Sequence, residues 1–507
     1  MIWEMCESMK FFRSYPVWLA LTAALGGLTY ILSAAYIYRP GFPLDDAWIH
    51  LTYARNLALL GEWSFLPGQP SAGSTSPLWT LLLAPGFWLK LAPYFWPYFL
   101  GTLCFFLLAW RVEFSLRALE PTYQPRLPWG GFLLLGEWHL AWAASSGMEV
   151  LLHALLVTAA LTMILLNDRR FFLLGALAGL SVWVRPDGVT LLGPLVLWVI
   201  FPSRFHIQPS TVNHQLSTFD LRPLTALLSG FLLFFLPYLA FNHALAGSLW
   251  PNTFYAKQAE YAAWQTKPFY EKAGQFFVQF LPGLTAFLAP GIFLLPWRER
   301  RWALALALIW VAGYIGLYVS RLPVYQYGRY TMPVLPILIL LGLWGFFRWR
   351  AGVHTRIGRQ LRLAWSASLL LVTILFWGLG ARTFAADVAF IESEMVQTAR
   401  WSAKNVPPGA LIAAHDIGAL GFFDGRHAIL DLAGLISPEV IPFINDETRL
   451  ARFLAEKGAG YVVAFPNWYP GLVRDCFSIY QSDGAFAGAS PLGKMNIYQC
   501  SSANRKP

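Results

Sequence analysis

The chain is short of charge. Asp, Glu, Lys and Arg together make up only 13% of its 507 residues, against 57% that are apolar. That is too little polar surface for a water-soluble protein of this size, so the bilayer must act as its solvent. Cysteine is scarce as well: Cys6 and Cys104 fall in or near apolar segments, Cys476 and Cys500 lie in the polar C-terminal region, and no metal-ligand spacing links the four. No internal repeat or low-complexity segment is visible. Nor is there a Gly-rich phosphate loop, so no nucleotide or organic cofactor is expected. The formal net charge of +10 does not form a face for nucleic acid, because Lys and Arg stand in short clusters between apolar runs. Such clusters are the mark of cytoplasmic loops.

What the chain has in quantity is apolar runs. The first, from about Tyr15 to Tyr38 behind Lys10 and Arg13, covers roughly 30 Å as a helix and is longer than a signal-peptide core, so it reads as a retained anchor running from inside to outside. Further runs centre near residues 103, 136, 158, 178, 195, 234, 287, 311, 339 and 373, giving about eleven spans. Alternating sidedness then places Arg111, Arg117, Arg126, Arg169, Arg170, Arg204 and Arg222 in the cytoplasm, with the clusters at 298–301 and 348–362. The expected architecture is an α-helical polytopic membrane protein. Residues 1–382 form its membrane domain, with a first outer loop at 39–95, and residues 383–507 form an extracytoplasmic α/β domain. In that domain "ALIAAH", "HAILDLAGL" and "GYVVAF" read as strands and "DETRLARFLAEKG" as a helix. On the oxidising side Cys476 and Cys500 are either bonded or two free thiols; the sequence leaves both open.

The most conspicuous polar spot is Asp45–Asp46, just beyond the first span. Helical spacing runs from Asp45 to Leu60, with Asp46, His50, Tyr53 and Leu57 on one face and Gly61 as the stop. Trp48 and Tyr53 suit the headgroup level, so this helix is expected to lie along the interface, as is a second segment from Ser76 to Leu91. Two carboxylates at a helix start have a structural explanation, as caps for orphan N–H groups. They also have a chemical one. Successive helical residues point about 100° apart, so one carboxylate can take a proton while the other contacts a cation or a substrate.

The stretch "DDAWIHLTYARNLALLGEWSF", followed by "PGQPSAGSTSPLWTLLLA", resembles the first outer loop of GT-C superfamily glycosyltransferases, especially the group of cell-wall arabinofuranosyltransferases that use polyprenyl-phosphate sugars. The stretches "SSGMEVLLHALL", "SVWVRPDGVTLL", "GSLWPNTFYAK" and "DIGALGFFDGRHAILDLAGLISPE" fit the same pattern in order. The resemblance implies inverting transfer, at the outer face of the cell membrane, from a polyprenyl-phosphate sugar donor to a hydroxyl of a glycan, lipid or protein acceptor. It implies Asp45 as general base and Asp46 as a cation or substrate contact, leaving a divalent cation open. His50, Arg55, Glu149, Arg185, Asn252, Lys257 and Arg329 are then expected as substrate-binding residues; Arg185 is the best phosphate candidate because "WVRPDG" sets it at the membrane boundary, where a charge needs a partner or a water-filled cleft, and His50, one turn from Asp46, is placed to orient it. Each also has a structural reading: an Arg185–Asp187 turn, snorkelling of Lys257, interfacial anchoring of Arg329, and Glu149 as a helix cap. The alternative to an enzyme is a transporter or flippase for a lipid-linked sugar, in which the same groups would line a pathway.

Overall fold

The computed structural model describes residues 15–201, 220–487 and 493–500; Cys6, Lys10, Arg13 and Arg204 lie outside them. Six of its helices are long and apolar enough to cross a membrane: Tyr15–Ile37, Phe95–Leu119, Arg222–Ala246, Trp297–Arg321, Gln326–Gly352 and Arg356–Asn405. Counting Phe269–Phe280 and Leu284–Ile292, which meet at 110°, as one broken span makes seven. All eleven apolar runs are helical, but the others are short. Val150–Leu165, Phe171–Val184 and Pro186–Ile200 have 17 residues or fewer, and the run near 136 is split into Trp138–Ala144 and Trp129–Leu135, with Glu137 capping the former. At 1.5 Å per residue such pieces fall short of a roughly 30 Å hydrocarbon layer. Among the described residues, length and composition by themselves thus qualify six helices, or seven with the broken pair, and the rest of the roughly eleven expected spans correspond to shorter apolar helices.

Where two of these helices meet, glycine sets the distance. Phe171–Val184 packs on Arg222–Ala246 so closely that a Cβ at Gly175 would stand 1.9 Å from the Leu227 carbonyl oxygen, and one at Gly230 would stand 2.1 Å from that of Phe172. Close backbone approach through small residues supplies the van der Waals contact that holds helices together where lipid competes for apolar surface.

Basic groups assigned to one side of the membrane do meet at one end of the bundle. Arg348 faces Glu299 at 3.1 Å and Glu120 at 3.9 Å, Arg111 donates to Thr162 at 2.8 Å, and Arg300 donates to the Leu165 carbonyl. The opposite ends of the same helices carry Glu149, Arg321 and Arg329.

A five-stranded sheet covers that second end. Its strands β3 (Leu411–Ala414), β4 (Ala428–Asp431), β5 (Tyr461–Ala464), β6 (Phe477–Gln481) and β7 (Asn496–Gln499) follow β1 (Ser64–Leu66) and β2 (Gln69–Pro70), a small hairpin in the first loop. The order is β4-β3-β5-β7-β6, parallel through β4-β3-β5 and antiparallel from β5 through β7 to β6. Helix Glu447–Lys457 is capped by Asp446 and stopped by left-handed Gly458, and Cys476 is bonded to Cys500. The boundary drawn at 382/383 falls inside a continuous helix, since the run beginning at Arg356 passes through a π turn at Glu392–Val396 to Asn405. Loss of apolar character there ends the membrane-facing surface without ending the helix.

Helix Asp46–Leu60, stopped by left-handed Gly61, does not lie exposed at an interface. Trp48 and Tyr53 are wholly buried, and Trp48 is packed among Phe42, Tyr94, Phe422 and Phe423. The sheet and the neighbouring loops cover the surface that the sequence offers to headgroups. Helix Pro77–Trp88 follows it.

The Gly175 contact leaves no room for a side chain. Gly175→Leu is expected to lower stability by about 1–3 kcal/mol, read as a lower melting temperature in detergent, whereas Gly193→Ala, which meets nothing within 4 Å, should melt like the wild type.

Candidate active site

Asp45 and Asp46 are adjacent, yet they face different surroundings. Asp45 accepts from the Gly418 N–H at 2.6 Å and the Ala419 N–H at 2.8 Å, which begin a short helical turn over 418–424. At the other end of that turn Arg55 donates to the carbonyls of Gly421 at 3.1 Å and Phe422 at 2.8 Å. A carboxylate on the free N–H groups and a guanidinium on the free carbonyls complement the turn's dipole at both ends. A Cβ at Gly418 would lie 2.1 Å from the Asp45 carbonyl oxygen, so glycine is required for the approach. Burial raises the Asp45 pKa to about 7, against the pull of the Ala419 and Gly418 amides and with Asp46 adding repulsion.

Asp46 turns instead into a cavity of about 400 Å³. Arg329 Nη2 donates to it at 2.5 Å, and its side chain is 38% exposed. Burial opposes its charge, but Arg329 and then Lys257 outweigh that penalty and hold its pKa at about 2. The cavity is also lined by Glu149, Asp187, Arg185, Lys257, Arg321 and Tyr330, with Met148, Trp250, Phe254 and Leu317 as its apolar part. Lys257 Nζ and Arg329 Nη2 both donate to the Tyr330 hydroxyl, at 2.5 and 2.9 Å. The charged ends of Arg185, Lys257 and Arg329 all stand within 5.1 Å of the Tyr330 ring centroid.

The cations differ in what they have left to offer. Every edge of Arg185 is engaged: Nη1 by Glu149 at 2.9 Å, Nε by Asp187 at 3.2 Å and Nη2 by the Tyr318 hydroxyl at 3.0 Å. Arg329 keeps Nε and Nη1 buried with no partner among the described residues. Buried, unpaired guanidinium donors are costly unless a ligand takes them. Arg329, Lys257 and the exposed Arg321 therefore make the cationic edge of the cavity, whereas each nitrogen of Arg185, the sequence's first choice for a phosphate, already donates to Asp187, Glu149 or Tyr318.

The structure places the other expected site residues as follows. Asp45, expected as the base, accepts one backbone amide on each oxygen and is not among the residues of the cavity wall. Arg55 grips carbonyls of the sheet unit and is likewise absent from the wall. Asn252 donates to the Leu435 carbonyl at 3.1 Å, tying helix Asn252–Glu260 to the sheet unit. His50 does not orient Asp46: its Nδ1 pairs with Ser74 Oγ at 3.0 Å and its Nε2 faces Glu149 Oε2 at 3.6 Å. Glu149 begins helix Val150–Leu165 without capping it. Arg321 and Tyr330 have no assigned role in the sequence analysis; the tyrosines on either side of Arg329 are the available signal. As for a divalent cation, no three His, Cys, Asp or Glu side chains are grouped to hold one among the described residues. Arg329 supplies the positive partner of Asp46.

Compared with solved structures, the chain matches ArnT from Cupriavidus metallidurans bound to undecaprenyl phosphate with a TM-score of 0.58, at 14% identity over 95% of this chain and 97% of that one. It matches the Archaeoglobus fulgidus oligosaccharyltransferase with a TM-score of 0.57, at 14% identity over 89% of this chain and 69% of that one. The chain has the GT-C fold. Mycobacterial arabinofuranosyltransferase AftD gives a TM-score of 0.45 at 17% identity, over 95% of this chain and 41% of AftD, too low to add to the argument. A family model described as a domain of unknown function (DUF8728) matches residues 386–499, the sheet-bearing part attached to this GT-C bundle. No curated protein matches the chain.

The two carboxylates should separate under mutation. Asp45→Ala leaves two buried amides unpaired and is expected to cost about 1–3 kcal/mol for each, whereas Asp46→Asn keeps an acceptor for Arg329 and gives up one part-exposed ion pair, about 1–2 kcal/mol at neutral pH. The sign with pH follows from Asp45's pKa, raised from 3.8 to about 7. Its ionisation works against folding as pH rises through that window, so the stability of Asp45→Asn relative to wild type should improve between about pH 4 and pH 8, measured by unfolding at each pH.

Proposed function

We propose that this protein is a membrane glycosyltransferase that moves a sugar from a polyprenyl-phosphate donor to an acceptor hydroxyl, with inversion. The observation that carries the reading is the meeting, in one cavity, of the cations Arg329, Lys257 and Arg321 with the accessible carboxylate of Asp46, two of the Arg329 nitrogens having no partner among the described residues. The cations suit the donor's phosphate, and the apolar side formed by Met148, Trp250, Phe254 and Leu317 suits the isoprenoid next to it. ArnT, a structure of the same fold, was solved with undecaprenyl phosphate bound, which supports a donor of this kind.

In this scheme the acceptor hydroxyl gives its proton to Asp46 as its oxygen bonds to the anomeric carbon from the face opposite the phosphate. The bond from that carbon to the phosphate oxygen breaks, and polyprenyl phosphate leaves with the electron pair. Arg329 and Lys257 stabilise the charge that grows on it. A phosphate that shares Arg329 also relaxes the grip holding the Asp46 pKa low, so donor binding makes Asp46 a stronger base. Glu149, held by Arg185 and faced by His50 in the cavity wall, contacts the bound sugar. The acceptor is a glycan, lipid or protein hydroxyl, and the sheet unit above the cavity helps to hold it. The active face is placed outside the cell membrane, a reading supported by the Cys476–Cys500 bond, which requires an oxidising compartment, and by the basic clusters at the opposite end of the bundle.

Purified protein supplied with a synthetic polyprenyl-phosphate sugar and candidate acceptors tests this. Asp46→Asn is expected to lower the transfer rate by at least about 100-fold, while folded Asp45→Asn retains it within roughly tenfold. Arg329→Gln and Lys257→Met should raise the donor KM. Full transfer by Asp46→Asn would remove it as base. Donor that binds and is returned intact with every acceptor would instead favour a transporter or flippase.

A further inference from the structure

The residues that place Arg329 stand in a conformation the backbone would not choose by itself. Gln326, Tyr327 and Gly328 are left-handed in succession, with φ of 43°, 60° and 73°, and only the third is glycine. Two consecutive L residues in that region persist only when their surroundings force them to. The forcing contact is visible. The Tyr327 ring lies between Trp138 and Trp142, with centroids 5.2 and 5.9 Å away, and its hydroxyl donates to Asp387 Oδ1 at 3.1 Å. The other Asp387 oxygen accepts from Trp142 Nε1 at 3.0 Å. One carboxylate on helix Arg356–Ile391 thus fixes both the tyrosine and one wall of its slot. Beyond the turn, the Arg329 N–H returns to the Gln326 carbonyl at 3.2 Å, the Thr331 N–H and hydroxyl both return to that of Gly328 at 2.8 Å, and the guanidinium emerges opposite Asp46.

We propose that Tyr327 and Asp387 are positioning residues that hold this strained turn so that the Arg329 guanidinium, two of whose buried nitrogens have no partner among the described residues, stands at the cavity wall to meet the donor's phosphate. The inference rests on the functional reading above and extends it to residues outside the cavity wall. Neither Tyr327 nor Asp387 touches the cavity, so both act through Arg329. An unlatched turn would relax toward ordinary backbone angles and carry the guanidinium away from both Asp46 and the phosphate. A latch built from a carboxylate, a phenol and an indole serves orientation, because packing alone would be met by Phe and Leu at the same places.

The test is binding of undecaprenyl phosphate to the full-length protein in detergent, with the melting temperature recorded for every variant. Tyr327→Phe keeps the ring in its slot and removes only the hydroxyl, and Asp387→Ala removes both acceptors; each is expected to weaken binding about tenfold. Asp387→Asn keeps one acceptor for the tyrosine and should lose less. In an Arg329→Gln background Tyr327→Phe should cause no further loss, because its effect passes through that guanidinium; a general weakening of the fold would instead multiply the two losses. Wild-type affinity in Tyr327→Phe alongside weakened binding in Arg329→Gln overturns the latch and leaves the phosphate site standing. Absence of binding by the wild type overturns the donor reading and the latch with it.

Discussion

One helical step separates Asp45 from Asp46, and that step organises the molecule. Side chains on successive helical residues diverge by about 100°, so two carboxylates side by side cannot serve the same surface. Asp45 points up into the sheet unit and closes the start of the turn at 418–424, while Asp46 points into the cavity and meets Arg329. The first joins residues more than 370 positions apart and seats the covering unit; the second joins the first loop to the beginning of another span. Had both faced the cavity, the sheet would lack its anchor. Had both faced the sheet, Arg329 would lack its partner.

Around that division the structure follows the rule that charge in a low-dielectric setting must be matched. Arg185 is matched on three sides and has become scaffolding for Glu149 and Asp187. Arg329 is matched on one nitrogen and left open on two. The difference separates a cation that shapes the cavity from one that can take an anion. Tyr330 links them, its hydroxyl accepting from Lys257 and Arg329 while three cations surround its ring.

The helices supply this arrangement by ending together. Val150–Leu165, Trp297–Arg321 and Gln326–Gly352 each put a site residue at one end and join basic contacts at the other. Several of the described apolar helices are too short to span alone, and Phe269–Phe280 meets Leu284–Ile292 at a sharp bend of 110°. Such segments are tolerated where protein, and not lipid, surrounds them.

The sequence alone determined what its local chemistry encodes. Scarce charge and long apolar runs required a membrane bundle, and Arg111, Arg300 and Arg348 showed which helix ends share a side. The runs "ALIAAH", "HAILDLAGL" and "GYVVAF" became β3, β4 and β5, and Gly61 and Gly458 stopped their helices. The paired aspartates and the order of the later motifs pointed to the GT-C fold. Only the tertiary structure decided which aspartate faces the cavity, that Arg185 is spent while Arg329 is not, that Trp48 is covered by the sheet unit, and that Cys476 is bonded to Cys500. The physical reason is range. Periodicity and composition act over a few residues, whereas the availability of a hydrogen-bonding edge depends on partners such as Gly418, Tyr318 or Glu149, which folding brings from distant parts of the chain.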